Sequence, residues 1–248
     1  MKDDRKEFEK EKYARIRAQG RNKRLVYRAD AFLIEASRAK YVYNFSWLGV
    51  PIIQHPEDIV ALQEIIFRVR PVVIVDVGVA RGGSAIFYAS LLKLLGSGTV
   101  IGVDIDIRPH NRDTIEKHPL GKSVKLIEGS SIDEAIFAKI KKTIAGKRPV
   151  LVTLDSLHTE RHVFRELELY STLVTKGSYI VALDTVLKKL PRSTYPKDHA
   201  NRPWDQHNNA GTAVQKFLKT HRNFAADADI DSQLLVSAAP GGYLKRVS

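Results

Sequence analysis

Cysteine is absent from the 248 residues, which excludes disulfides, thiol nucleophiles and Cys-ligated zinc, and suits a reducing compartment. No apolar run approaches the ~20 residues of a membrane-spanning helix, so no membrane span is expected. The opening MKDDRKEFEKEKYARIR is mixed in charge and lacks an apolar core, so it does not read as a secretory leader. There is no low-complexity tract and no internal repeat. These absences together predict a cytoplasmic protein.

What is present is ordinary for a globular chain: 44% hydrophobic and 27% charged residues. The length suits one large α/β domain with an N-terminal appendage. The net charge of +12 raises the question of nucleic acid. Residues 1–30 hold eleven Lys or Arg against six Asp or Glu, and interleaved signs of this kind describe a solvated helix face. With no series of base-stacking aromatics, nucleic acid is not the expected partner, although an RNA substrate stays open on charge alone.

Residues 1–40 read as one or two charged helices, with Phe32, Leu33 and Ile34 as an apolar patch that docks on the domain or on another subunit. Tyr41 to Ile53, aromatic and carrying Gly49 and Pro51, reads as an irregular segment over a pocket. We therefore expect an extension and pocket cover over residues 1–55 and a cofactor-binding domain over 56–248. In Pro56 to Arg70, Ile59, Leu62, Ile65, Ile66 and Val69 recur at helical spacing. Short apolar runs then alternate with helical stretches: strands are expected at Val72 to Val77, Thr99 to Asp104, Val124 to Glu128, Val150 to Asp155 and Ser178 to Asp184. Helices are expected at Gly82 to Leu95, Ile132 to Ala145 and Thr159 to Leu173. Leu234 to Val236 and Tyr243 to Arg246 read as late antiparallel strands. This is the pattern of a doubly wound, mostly parallel seven-stranded sheet covered on both faces, an α/β, Rossmann-like fold.

Ligands of such sheets bind beyond the carboxyl ends of the strands. The loop Asp76-Val-Gly78-Val-Ala-Arg81-Gly82-Gly83-Ser84 follows one strand and opens a helix, so its glycines permit a tight turn and bare N–H groups face a ligand. A turn that binds nothing is the alternative. No Gly-Lys-Ser/Thr follows, which excludes a phosphate-loop NTPase, and the Gly-x-Gly start of a dinucleotide site is missing. Asp104 ends the next strand, where a carboxylate can accept from both ribose hydroxyls. Ser130, in the run Glu128-Gly-Ser-Ser-Ile-Asp133, either contacts a base or caps the following helix. Asp155 and His158 end the fourth strand. His158 is either a general base, since histidine ordinarily titrates near neutrality, or a cap for the helix from Thr159. Asp184 ends the fifth strand and, with Asp155, offers oxygen ligands to a divalent metal. No His-x-Asp/Glu…His triad sits on a barrel-like strand pattern of the kind that holds iron in an oxidative hydroxylase.

The Asp-x-Gly-x-x-x-Gly-Gly loop resembles the first motif of class I methyltransferases. Taken with IGVDIDIRPHNR, EGSSID, LDSLHT, LDT and the final GGYLKR, the chain from Asn44 to Arg246 resembles the cephalosporin hydroxylase and rhamnosyl O-methyltransferase family. The resemblance implies S-adenosylmethionine held by Asp76, Gly78, Arg81, Gly82, Gly83, Ser84, Asp104, Ser130 and Asp155, often Mg²⁺ at Asp155 and Asp184, His158 as base, a homo-oligomer, and a small-molecule or glycan acceptor. Relatives carry Glu-Asp at the end of the fifth strand, whereas this chain has Leu183-Asp184. Either Asp155, Asp184 and waters suffice for the metal, or the reaction proceeds by positioning and base catalysis alone. A non-catalytic cofactor-binding partner of a hydroxylase is the competing role. The acceptor is expected under Tyr41 to Pro51 and the loop His199 to Gly211, where Trp204 either faces it or packs on the domain.

Overall fold

The strands Val73–Val77, Thr99–Asp104, Val124–Glu128, Val150–Leu154 and Tyr179–Ala182, which we label β3 to β7, form the parallel part of one sheet in the computed structural model, which describes residues 3–191, 193 and 201–248. The sheet has seven strands in the order β5-β4-β3-β6-β7-β9-β8. Its last two members, β8 (Phe224–Ala226) and β9 (Tyr243–Arg246), run antiparallel to their neighbours. β3 and β6, in the middle, are buried at every position, which is why they read as unbroken apolar runs. Helices cover both faces. α3 (Pro56–Val69) and α4 (Gly83–Leu94) pack on one side with Leu62, Ile65 and Phe87. α6 (Glu134–Ile144), α7 (Glu160–Ser171) and α8 (Ala210–Thr220) pack on the other with Ile140, Leu167 and Phe217. The short α5 (Pro109–Lys117) follows β4.

The N-terminal helices are α1 (Arg5–Arg21) and α2 (Lys23–Arg38), with Asn22 between them accepting from Leu25 N as the cap of α2. As its interleaved charges predict, α1 is almost wholly exposed. It is tied to α9 (Ala228–Leu234) by Arg17 on Asp229 and by Gln19 donating to the carbonyls of Ser232 and Gln233. Of the predicted apolar patch, Leu33 is buried against Val186, Leu187, Leu190 and Trp204, so α2 docks on the domain.

Two expectations are corrected. Tyr41 to Ile53 is ordered into a 3-10 turn (Tyr41–Asn44) and an antiparallel hairpin of β1 (Phe45–Trp47) and β2 (Val50–Ile52). Leu48 (φ 46°) and Gly49 (φ 86°) supply the two left-handed residues that a two-residue hairpin turn requires. Trp47 seats the hairpin on α4, its ring edge-on to Phe87 with centroids 4.9 Å apart. Leu234 to Val236 is not a strand: Ile230 and Leu234, four apart, place one buried helix face, and Leu234 ends α9. The edge strand is instead Phe224–Ala226, whose two alanines carry little strand preference and are held by pairing with β9.

Candidate active site

A cavity of about 910 Å³ opens at the carboxyl ends of β3 to β7, large enough for a nucleotide cofactor and an acceptor together. Gly78, Arg81, Asp104, Ser130, Asp155, His158 and Asp184 lie on its wall. Asp76, Gly82, Gly83 and Ser84 do not; they build the loop from behind. A Cβ on Gly82 (φ 95°) would meet Ile115 Cγ1 at 2.5 Å, and one on Gly83 would meet the Pro51 carbonyl at 2.2 Å. Those two glycines are therefore required by packing on α5 and β2 rather than by the approach of a ligand. Gly78 (φ 97°) is where the loop meets the neighbouring strand end, since a Cβ there would lie 2.0 Å from the Asp155 carbonyl oxygen.

Asp76 is buried beneath the loop, accepting from Ser84 Oγ at 2.7 Å and Thr153 Oγ1 at 3.1 Å. Burial pushes its carboxyl up to about 7, with the two hydroxyls pulling in the other direction. Asp104 uses one oxygen to accept from Ala80 N at 2.9 Å and the other to accept from Asp106 N at 3.2 Å, so the predicted ribose-binding acid also shapes the loop. Neither Ser130 nor His158 caps a helix. Asp133 caps α6, accepting from Ala135 N and Ile136 N. The first turn of α7 is met by Asn208, whose Oδ1 accepts from Glu160 N at 2.9 Å across the fold. Both residues are thus free to face the cavity.

Asp155 follows β6, its N–H donating to the Val77 carbonyl, and Asp184 follows β7 in a left-handed conformation (φ 56°). A left-handed residue other than glycine is uncommon, aspartate tolerates it better than most, and such residues gather at functional sites. Burial, then the charge of Asp184, holds the Asp155 carboxyl well above the usual carboxylate range. His158 Nε2 lies 3.1 Å from Asp184 Oδ2. Asp155, His158 and Asp184 each bring one ligand atom to within 4.8 Å of the others, so the site adds an imidazole to the predicted carboxylate pair. Two hard oxygens fit Mg²⁺. Leu183, buried in the core shared by α3 and α4, adds no donor.

Trp204 packs on Leu33 and Val186, as the packing alternative has it, and its ring stands edge-on to His158 with centroids 4.9 Å apart. Val42 and Tyr43 also line the cavity. Of the loop expected to cover an acceptor, His199 and Ala200 lie outside the described residues. Sequence reading missed Gln54 and His55 on the wall, and the pair His162 and Glu166 on α7. The last had a visible signal, a His and a Glu four residues apart within a helix.

Residues 39–247 match the sequence profile of the family described as rhamnosyl O-methyltransferase/CmcI. The chain belongs to this family. Rhamnosyl O-methyltransferase of Mycobacterium bovis is 28% identical over 235 residues, covering 90% of this chain and 88% of that protein. The Mycobacterium leprae protein of the same name is 27% identical over 175 residues, covering 67% and 74%. Among solved structures, CmcI in a form with Mg and S-adenosylmethionine superposes with a TM-score of 0.56 at 18% identity, covering 83% of this chain and 78% of its own. A caffeoyl-CoA O-methyltransferase homologue from Staphylococcus aureus gives 0.54 at 12% identity, covering 79% and 84%. At those identities the structures speak for the fold, that of a class I methyltransferase. The chain is an S-adenosylmethionine-dependent O-methyltransferase.

Proposed function

We propose that this family member methylates a sugar hydroxyl with the Asp155, His158 and Asp184 cluster as its reacting centre. The observation that carries the assignment is the placement of His158, 3.1 Å from Asp184 and on the wall of a cavity that also holds Asp104 and Gly78. The cofactor lies along the strand ends. The loop after β3 takes its amino-acid part, Asp104 the ribose, and the Gly129 to Ser131 end the base. The acceptor is a hydroxyl of a sugar or polyhydroxylated natural product, as the rhamnosyl O-methyltransferases of this family indicate. It lies between α2, the segment Thr185–Lys188 and Trp204.

Transfer from a sulfonium is an in-line displacement, so the protein must align oxygen, methyl and sulfur and take one proton from the acceptor. His158 takes that proton, and Asp184 balances the charge of the imidazolium that forms. Asp155 and Asp184 would hold Mg²⁺, with waters completing its shell, and there it would lower the cost of negative charge on the acceptor oxygen. Trp204 fixes the face of the imidazole.

The test is methyl transfer from radiolabelled S-adenosylmethionine to a panel of rhamnosides, for wild type and His158→Ala. The variant should turn over about 10²–10⁴-fold more slowly with cofactor affinity nearly unchanged. A loss below about tenfold would pass the proton to another group and remove His158 from the chemistry.

A further inference from the structure

His162 and Glu166 on α7 take no part in the methyl transfer described above, yet their arrangement is costly and specific. They are one helical turn apart on one face. Glu166 has no exposed surface; its Oε1 accepts from Ser131 Oγ at 2.5 Å and Ser156 Oγ at 2.6 Å and lies 3.2 Å from His162 Nε2. Its Oε2 is buried with no partner among the described residues. A carboxyl group buried without full satisfaction is expensive, and its effect here is to hold a histidine.

The hydrogen positions follow from the donors available. Ser131 gives its hydroxyl hydrogen to Glu166, so its oxygen, 3.0 Å from His162 Nε2, is left to accept. Nε2 of His162 therefore carries a hydrogen, directed at Ser131 Oγ and Glu166 Oε1. In a neutral imidazole the second nitrogen is then bare, and Nδ1 is an acceptor. Nδ1 has no partner among the described residues, and the ring stands on the cavity wall beside Gly129, Ser130 and Ser131.

The sheet order places a purine there. With the loop after β3 and Asp104 after β4 taking the amino-acid part and the sugar, the base extends over the end of β5. Ile105, an apolar side chain 70% exposed on the same wall, offers its face to a flat ring. Adenine presents an amino donor at its 6-position, whereas a 6-oxo purine presents an acceptor there. We infer that His162 selects the base of the cofactor, Nδ1 accepting a hydrogen from the 6-amino group of adenine, with Glu166 and Ser131 as positioning residues that fix the tautomer. This rests on the cofactor placement given under Proposed function.

The experiment is calorimetric titration of the whole protein with S-adenosylhomocysteine and with its 6-oxo analogue, S-inosylhomocysteine. Wild type should favour the adenosyl ligand by about 10–100-fold, the consequence of setting two acceptors against each other. His162→Phe, which keeps a ring but no acceptor, should bring the two affinities close together by weakening the adenosyl ligand alone. His162→Gln, whose amide can turn either group outward, should bind both about equally and serves if the Phe variant does not unfold cooperatively. Equal wild-type affinities, or a wild-type ratio retained in both folded variants, would overturn the inference while leaving the cofactor site intact. Failure of wild type to bind either ligand would overturn the cofactor placement as well.

Discussion

Asp76 ties stability to pH in a direction opposite to that of a salt-bridged carboxylate. It lies beneath the cofactor loop, held by Ser84 and Thr153, and burial raises it from 3.8 to about 7. Between those values the folded chain keeps the proton and the unfolded chain has lost it. The native state then binds more protons, and stability must fall as pH rises through the window. A gap of about three pH units, at 1.36 kcal/mol each, makes the loss about 4 kcal/mol between pH 4 and 7.5. Asp76→Asn keeps the shape and removes the titration. Urea unfolding of wild type and variant at half-unit intervals of pH should show two curves that lie close together in acid and separate toward neutrality, wild type the less stable there. Parallel curves across the window would refute the argument and place the carboxylate in an environment that tolerates its charge.

Other expectations follow from the same geometry. Gly78→Ala would put a Cβ 2.0 Å from the Asp155 carbonyl at a left-handed position, and should destabilise the fold by about 2–4 kcal/mol in denaturant titration. Asp104→Ala should weaken S-adenosylmethionine by about 1.5–3 kcal/mol in calorimetry, and unchanged affinity in the folded variant would remove it from the site. Asn208→Ala strips the partner of Glu160 N from the start of α7 and should cost about 1 kcal/mol in thermal or urea unfolding.

The parallel strands and the helices between them were legible because β3, β4, β6 and β7 are buried on both faces and most of the helices on one, so burial writes itself into local periodicity. The strand-end acids were legible for a related reason: Asp104, Asp155 and Asp184 each interrupt an apolar run where the sheet meets the cavity, and Asp76 does so beneath the loop. The hairpin was harder. Gly49 and Pro51 signal a break in most settings, and only the turn at Leu48 and Gly49, together with the seat of Trp47 on α4, makes them part of a strand pair. The α9 segment was misread because three apolar residues carry no period of their own; its helix is set by Ile230 and Leu234 against the rest of the fold.

By itself, the sequence determined the class of fold, the glycine loop between β3 and α4, and the list of residues from which a site can be made, since all of these follow from local pattern and chain order. Tertiary structure alone decided which of them act together. Asp155 and Asp184 are 29 positions apart and meet because β6 and β7 are neighbours in one register. Asn208, not His158, satisfies the start of α7, because a loop some fifty residues away folds back across it. Gly82 and Gly83 turn out to serve packing, and His162 turns out to line the cavity, because what a side chain does depends on what the fold brings to the far side of it. Distances between strand ends and the donors that reach a buried carboxylate are properties of the packed chain, and no window of sequence contains them.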